Sequence, residues 1–197
     1  MRKYYPDYVT FAAVAIVQYV IVSVSRQELD EIFDGRDDDV IQSSDLVKMH
    51  YVTRCIKESL RTHPPIPLVG RTTTTPIEID GKEVPVGTSI DMNIWNLHHN
   101  PEHWPDPFVY NPDRFLPEKM QHMDPHSHLP FSAGPKNCIG QAFAMNEMKI
   151  IVGHVLRKFE FALDTTHDVK PCPDIVLSSE TGIRVFFKKR LPNNNEV

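Results

Sequence analysis

Apolar residues recur along this chain with two different periods, and each change of period marks a change of element. Val52, Cys55, Ile56 and Leu60 fall at helical spacing, which predicts a helix capped by Ser43 or Ser44. It should stop near Thr62, because proline disfavours helical geometry in the residue ahead of it. Upstream, residues 25–33 read as a short helix, and Asp34-Gly35-Arg36-Asp37-Asp38-Asp39 as an acidic, solvated turn. Beyond Pro67 the period drops to two. Ile77 and Ile79, then Asp80-Gly81 as a hairpin turn, then Val84 and Val86 predict paired strands, with Ile90, Met92 and Ile94 as a further strand.

From residue 100 to 130 the periodicity disappears, and proline, histidine and aspartate surround the aromatic anchors Trp104, Phe108, Tyr110 and Phe115. This is an ordered meander of a length that is usually functional. Apolar positions then fall nearly all round a helical wheel between residues 139 and 156, which predicts a helix buried on every side. Two strands are expected near 175–177 and 183–187, joined by Ser178-Ser179-Glu180-Thr181-Gly182, and the last residues should fray. The resulting class is α+β, mainly helical. Its divisions are a divergent apolar segment at 1–24, a folded unit at 25–190 and a disordered tail at 191–197.

Residues 11–24 are apolar apart from Gln18 and Ser23 and follow Arg2 and Lys3. They fall short of the ~20 apolar residues that a membrane span needs. A buried core segment and a signal-like or membrane-associated segment, with Ser23-Val24-Ser25 as a small-x-small site, both remain open.

Composition narrows the function. A hydrophobic share of 41% and a charged share of 24% are globular values. A net charge of -5 without a basic face excludes nucleic acid as a partner. Cys55, Cys138 and Cys172 are too few for a disulfide framework, and the odd count leaves a free thiol, which suits a reducing compartment such as the cytosolic side of a membrane. Of 17 prolines, 13 lie between Pro64 and Pro135, so the middle third is irregular yet positioned.

The chemistry concentrates in Phe131-Ser132-Ala133-Gly134-Pro135-Lys136-Asn137-Cys138-Ile139-Gly140, a tight loop that runs into the last long helix. A cysteine near a helix N-terminus is favoured as thiolate, the form that binds a metal. Gly134 permits positive φ and Gly140 leaves space beside the sulfur. The residues alone leave two readings, a metal-binding thiolate and an inert core thiol. Glu58-Ser59-Leu60-Arg61 places an acid and a base three apart, by itself an ordinary helix-surface pair. Arg71 suits a carboxylate partner, or is an edge-strand charge. His98, His99, His103, His122, His126 and His128 lack the paired spacing of a zinc site.

Phe-x-x-Gly-x-x-x-Cys-x-Gly, with a basic residue two before the cysteine, resembles the cytochrome P-450 haem-loop signature and is matched at Phe131, Gly134, Lys136, Cys138 and Gly140. Glu58-x-x-Arg61, His63-Pro64-Pro65, His99-Asn100-Pro101-x-x-Trp104-x-x-Pro107 and Pro112-Asp113-Arg114-Phe115 follow in the family's order. The wording from Phe131 to Met145 resembles family 4, the animal fatty-acid omega-hydroxylase group. The resemblance implies haem b, with Cys138 as iron ligand and catalytic residue. It sets Phe131, Gly134, Lys136 and Gly140 around the cofactor, with Ile139, Ala144 and Arg71. Lys136 departs from the family's usual arginine, keeping the charge but losing the bidentate fork. The resemblance also makes Glu58, Arg61 and Arg114 a buried charge network that fixes the meander against the helix.

In function, the resemblance implies a monooxygenase that hydroxylates lipophilic substrates such as fatty acids. An NADPH-cytochrome reductase would be its partner, on the cytosolic face of the endoplasmic reticulum membrane. A full family domain is more than twice this length. The distal Ala-Gly-x-Asp/Glu-Thr-Thr motif is absent from this sequence, so the expectation is no turnover by this chain alone. The alternative is a non-catalytic haem-binding remnant.

Overall fold

The computed structural model describes residues 21–36, 38–173 and 175–190. Residues 1–20, most of the divergent apolar segment, and the tail 191–197 lie outside the described residues. Helix α1 covers residues 21–32, so the helix expected at 25–33 takes in residues 21–24 as well. Then come α2 (Ser43–Leu46), α3 (His50–Thr62), β1 (Leu68–Thr72), β2 (Ile77–Ile79), β3 (Lys82–Val84), β4 (Ser89–Asn93) and α4 (Ile94–His98). The meander holds a 3-10 turn at Pro112–Phe115 and α5 (Pro117–Met120). A second 3-10 turn at Gly134–Lys136 precedes α6 (Gln141–Lys158), β5 (Phe159–Leu163), β6 (Pro171–Pro173), β7 (Leu177–Ser179) and β8 (Val185–Lys189).

The helix expected to run from Ser43 or Ser44 to Thr62 is two helices. Its first cap is Gln42, whose amide is received by Asp45 Oδ2 at 2.8 Å. The long helix starts at His50, where Glu28 of α1 accepts the Tyr51 and Val52 amides at 2.6 and 2.9 Å. A carboxylate from another helix therefore does the work of a local cap, offsetting the positive end of the helix dipole. The stop at Thr62 is as the prolines require.

Among the described residues, four two-stranded antiparallel sheets flank the helices, pairing β1 with β4, β2 with β3, β5 with β8 and β6 with β7. Asp80 and Gly81 both take positive φ, 50° and 73°, in the two-residue turn between β2 and β3. Ile94 is not in a strand: Asn93 accepts the Asn96 amide at 2.9 Å and turns the chain into α4. The two strands expected near the end do not pair with each other, because β7 joins β6 and β8 joins β5.

The core is built by α1, α2, α3 and α6 through Leu29, Leu46, Met49, Val52, Ile56, Leu60 and Leu156. The helix expected to be buried on every side is not. Only Gly153 and Leu156 of α6 are buried, while Phe143 and Ile151 are 73% and 55% exposed. Its apolar positions serve more than one face, and the described elements cover only the face turned to α1, α2 and α3. No helix among the described residues is long and apolar enough to cross a membrane.

Candidate cofactor site

A backbone bond closes the loop at 131–140: the Cys138 amide donates to the Phe131 carbonyl at 2.9 Å. Between them Ser132 and Gly134 take positive φ, 62° and 76°, and Asn137 N–H reaches Gly134 O at 3.1 Å. At Gly134 that φ favours glycine, since a side chain there is strained whatever the space. Gly140 caps α6, so Cys138 stands just ahead of the helix N-terminus, exposed, with a free thiol. A Cβ at position 140 would sit 3.8 Å from Cys138 Sγ, so the glycine keeps that side of the sulfur open. Ile139 is fully exposed, Phe131 and Ala144 are half-buried, and Lys136 is exposed.

Arg71, on β1, is also exposed and donates to the Lys136 carbonyl at 3.4 Å. This brings a second cation to the rim of the loop from an element far away in sequence.

The charge network forms behind the loop. Arg61 and Glu58 are fully buried and paired in a fork, with Nε to Oε2 at 2.7 Å and Nη2 to Oε1 at 2.8 Å. Arg61 Nη1 donates to the carbonyls of His98 and Pro107, each at 2.8 Å, and Glu58 Oε1 accepts the Asn111 amide at 2.8 Å. Arg114 lies with Nε 3.4 Å from Glu58 Oε1 and donates through Nη2 to Asp106 O at 2.8 Å. Burial depresses the Arg114 guanidinium, and the Glu58 charge opposes that shift. Most partners of this network are main-chain atoms of the meander, so it sets the path of that segment. Desolvating three charges makes it poor evidence of stability and better evidence of register.

A flat, apolar group with acidic edges that takes one sulfur donor is compatible with this loop. Among the described residues, no three or more His, Cys, Asp or Glu side chains are arranged to hold a metal ion. Cys138 offers a single sulfur donor, which suits a centre whose other ligands come from elsewhere, as in a metal macrocycle. The two glycines, the exposed apolar Ile139 and Phe143, and the cations Arg71 and Lys136 fit such a group.

Residues 21–186 match the family model for cytochrome P450. This chain belongs to the cytochrome P450 family. The family is one of haem-iron proteins, and a haem domain of one member superposes with a TM-score of 0.82 at 24% identity, over 92% of this chain and 39% of that one. A cyanobacterial family member solved with retinoic acid bound gives a TM-score of 0.82 at 25% identity, over 91% of this chain and 41% of its own. An ultra-long-chain fatty acid omega-hydroxylase of Homo sapiens is 43% identical over 159 residues, which is 80% of this chain and 30% of that protein. Cytochrome P450 4B1 of Rattus norvegicus is 45% identical over 153 residues, 77% of this chain and 30% of its own. The chain thus spans about 30% of the length of these curated relatives.

Sequence reasoning missed several residues that hold this site together. Glu28 caps α3 from another helix, and Arg26 Nη2 and Arg190 Nη1 reach the Phe159 and Leu156 carbonyls at the end of α6. His98 receives the Leu129 amide at 2.8 Å. None of these pairings has a local spacing that would announce it, since the partners lie 23 to 133 residues apart.

Proposed function

We propose that this chain forms the proximal part of a haem-thiolate monooxygenase site, with haem b as cofactor and Cys138 as the iron's thiolate ligand. The enzyme hydroxylates lipophilic substrates of the fatty-acid class with NADPH and dioxygen. The observation that carries this reading is the loop itself: a lone exposed cysteine ahead of an 18-residue helix, between two glycines and beside two cations. The similarity to omega-hydroxylases supports the substrate class.

When bound, haem supplies a redox-active iron, and thiolate ligation favours cleavage of the dioxygen O–O bond. The chain's own residues supply the rest of the proximal environment. The Phe131 carbonyl anchors the Cys138 amide and so fixes the direction of Cα–Cβ. Arg71 and Lys136 provide positive charge for the haem carboxylates, Arg71 with a guanidinium fork and Lys136 as a point charge. Phe131 packs against the helical core at the base of the loop, while Ile139, Gly140 and Ala144 line the approach. The Glu58–Arg61 pair, with Arg114, holds the meander in the register that the loop needs.

Residues 25–190 are the P450 portion of the chain in this reading. The partner is an NADPH-cytochrome reductase, and the setting is the cytosolic face of the endoplasmic reticulum membrane. Free thiols at Cys55, Cys138 and Cys172 suit that reducing side. The test is an absorption spectrum of the haem-loaded chain, reduced under carbon monoxide. The expected result is a red-shifted Soret band that Cys138→Ala abolishes. An unshifted, histidine-like band in the parent chain refutes the assignment.

A further inference from the structure

His98 ends α4, is fully buried, and touches two parts of the site at once. Its carbonyl accepts Arg61 Nη1 at 2.8 Å, and its ring Nε2 accepts the Leu129 amide at 2.8 Å. Leu129 in turn receives the Ser132 amide at 3.2 Å, opening the loop whose Phe131 carbonyl holds the Cys138 amide. A run of hydrogen bonds therefore leads from Glu58 through Arg61, His98 and Leu129 to the segment that carries Cys138.

An imidazole nitrogen that accepts an N–H bond carries no proton, so the His98 ring is neutral with its hydrogen on Nδ1. The His128 ring stacks on it at 5.1 Å. His98 Nδ1 and His128 Nε2 are both buried without a hydrogen-bond partner. The surroundings are hostile to added charge. From α3 come the Arg61 guanidinium, the Lys57 ammonium and the Glu58 carboxylate, the last already held by Arg61. From the C-cap of α4 comes His99, and from the meander the rings of Phe115 and Trp104, 4.8 and 6.0 Å from His128. Burial first, with the Arg61 charge adding, pushes His98 down to about 4, against the pull of the Arg61 and Leu60 main chain. Burial and then His98 push His128 down to about 3.

We propose that His98 is a positioning residue: its neutral ring, stacked on His128, couples the buried Glu58–Arg61 pair to the loop that bears Cys138, and acid uncouples the two. Protonation turns Nε2 from acceptor into donor and sets two N–H groups against each other across 2.8 Å, beside a cation that cannot move away. The sign follows from linkage. The unfolded or opened chain binds protons on these rings below about 6.5, whereas the closed structure holds them neutral. Coupling is therefore complete above pH ~6.5 and is lost as pH falls from there toward ~4, by up to about tenfold per ring for each pH unit. Only the consequence for thiolate ligation rests on the haem reading.

The test is hydrogen exchange of the full chain at residues 129–138, at pH 7.5 and 5.5, corrected for the intrinsic exchange rate. Parent, His98→Gln and His98→Leu are compared. Glutamine keeps an acceptor for Leu129 but does not titrate. The parent is expected to lose up to about a hundredfold in protection between the two pH values, about tenfold from each ring, of which His98→Gln keeps only the His128 share. His98→Gln should lose far less, and His98→Leu should be poorly protected at both. An equal pH response in parent and His98→Gln would overturn the inference, as would full protection in His98→Leu. In the haem-loaded chain, the pH midpoint for loss of the thiolate spectrum should move lower in His98→Gln, and an unmoved midpoint counts against the coupling. The expected exchange pattern with no thiolate spectrum in the parent would support the coupling and refute the haem assignment.

Discussion

Glu58 shows how one buried carboxylate can organise a segment that has almost no regular structure. Its two oxygens take the Arg61 fork and the Asn111 amide, with Arg114 alongside. Glu58→Gln removes the charge that neutralises Arg61, and leaving one partner of a buried pair uncompensated costs about 3–5 kcal/mol. Urea unfolding at pH 7.5 should show that loss. Glu58→Leu with Arg61→Leu should recover part of it, yet release the meander, because the His98 and Pro107 carbonyls lose their donor. At Lys136 the effect should appear in cofactor retention rather than stability. Lys136→Gln is expected to speed haem loss to a scavenging apoprotein, while Lys136→Arg slows it.

Among the elements, α6 carries the site at one end and the core at the other. Gly153 faces α1 and the segments on either side of α2, and a Cβ there would lie 2.9 Å from Ile41 Cδ1, 3.5 Å from Met49 Cε and 3.7 Å from Leu29 Cδ2. Gly153→Leu should overpack this contact and cost about 1–3 kcal/mol, read as a lower urea midpoint with an unchanged slope. Elements with strong local signals were legible in the sequence. The end of α3 at Thr62 follows from Pro64, and the β2–β3 hairpin from Asp80-Gly81. The loop at 131–140 was legible from its glycines and from its resemblance to a known signature. The break between α2 and α3 was not, because its cap comes from Glu28 of another helix. Nor was the pairing of β5 with β8, whose partners such as Phe161 and Phe187 meet only through the tertiary fold. His98 was visible only as one histidine among several, since its role depends on Leu129 and Arg61, which lie far from it in sequence.

At the scale of the molecule, the described elements leave several large apolar side chains exposed, among them Ile139, Phe143, Ile151, Phe186 and Phe187. Phe143 on α6 is the clearest case, 73% exposed one turn beyond Ile139. Phe143→Asp should leave stability within about 0.5 kcal/mol of the parent. It should also reduce binding of an apolar fluorescent dye, both measured on the same preparation. The central claim concerns one bond, from Cys138 sulfur to haem iron. Resonance Raman spectroscopy of the haem-loaded chain, prepared with natural and with sulfur-34 cysteine, tests it most directly. The account predicts an iron–sulfur stretching band that moves to lower frequency with the heavy isotope and is missing in Cys138→Ala. A haem spectrum with no isotope-sensitive band, in a chain whose Cys138 is intact, would contradict it.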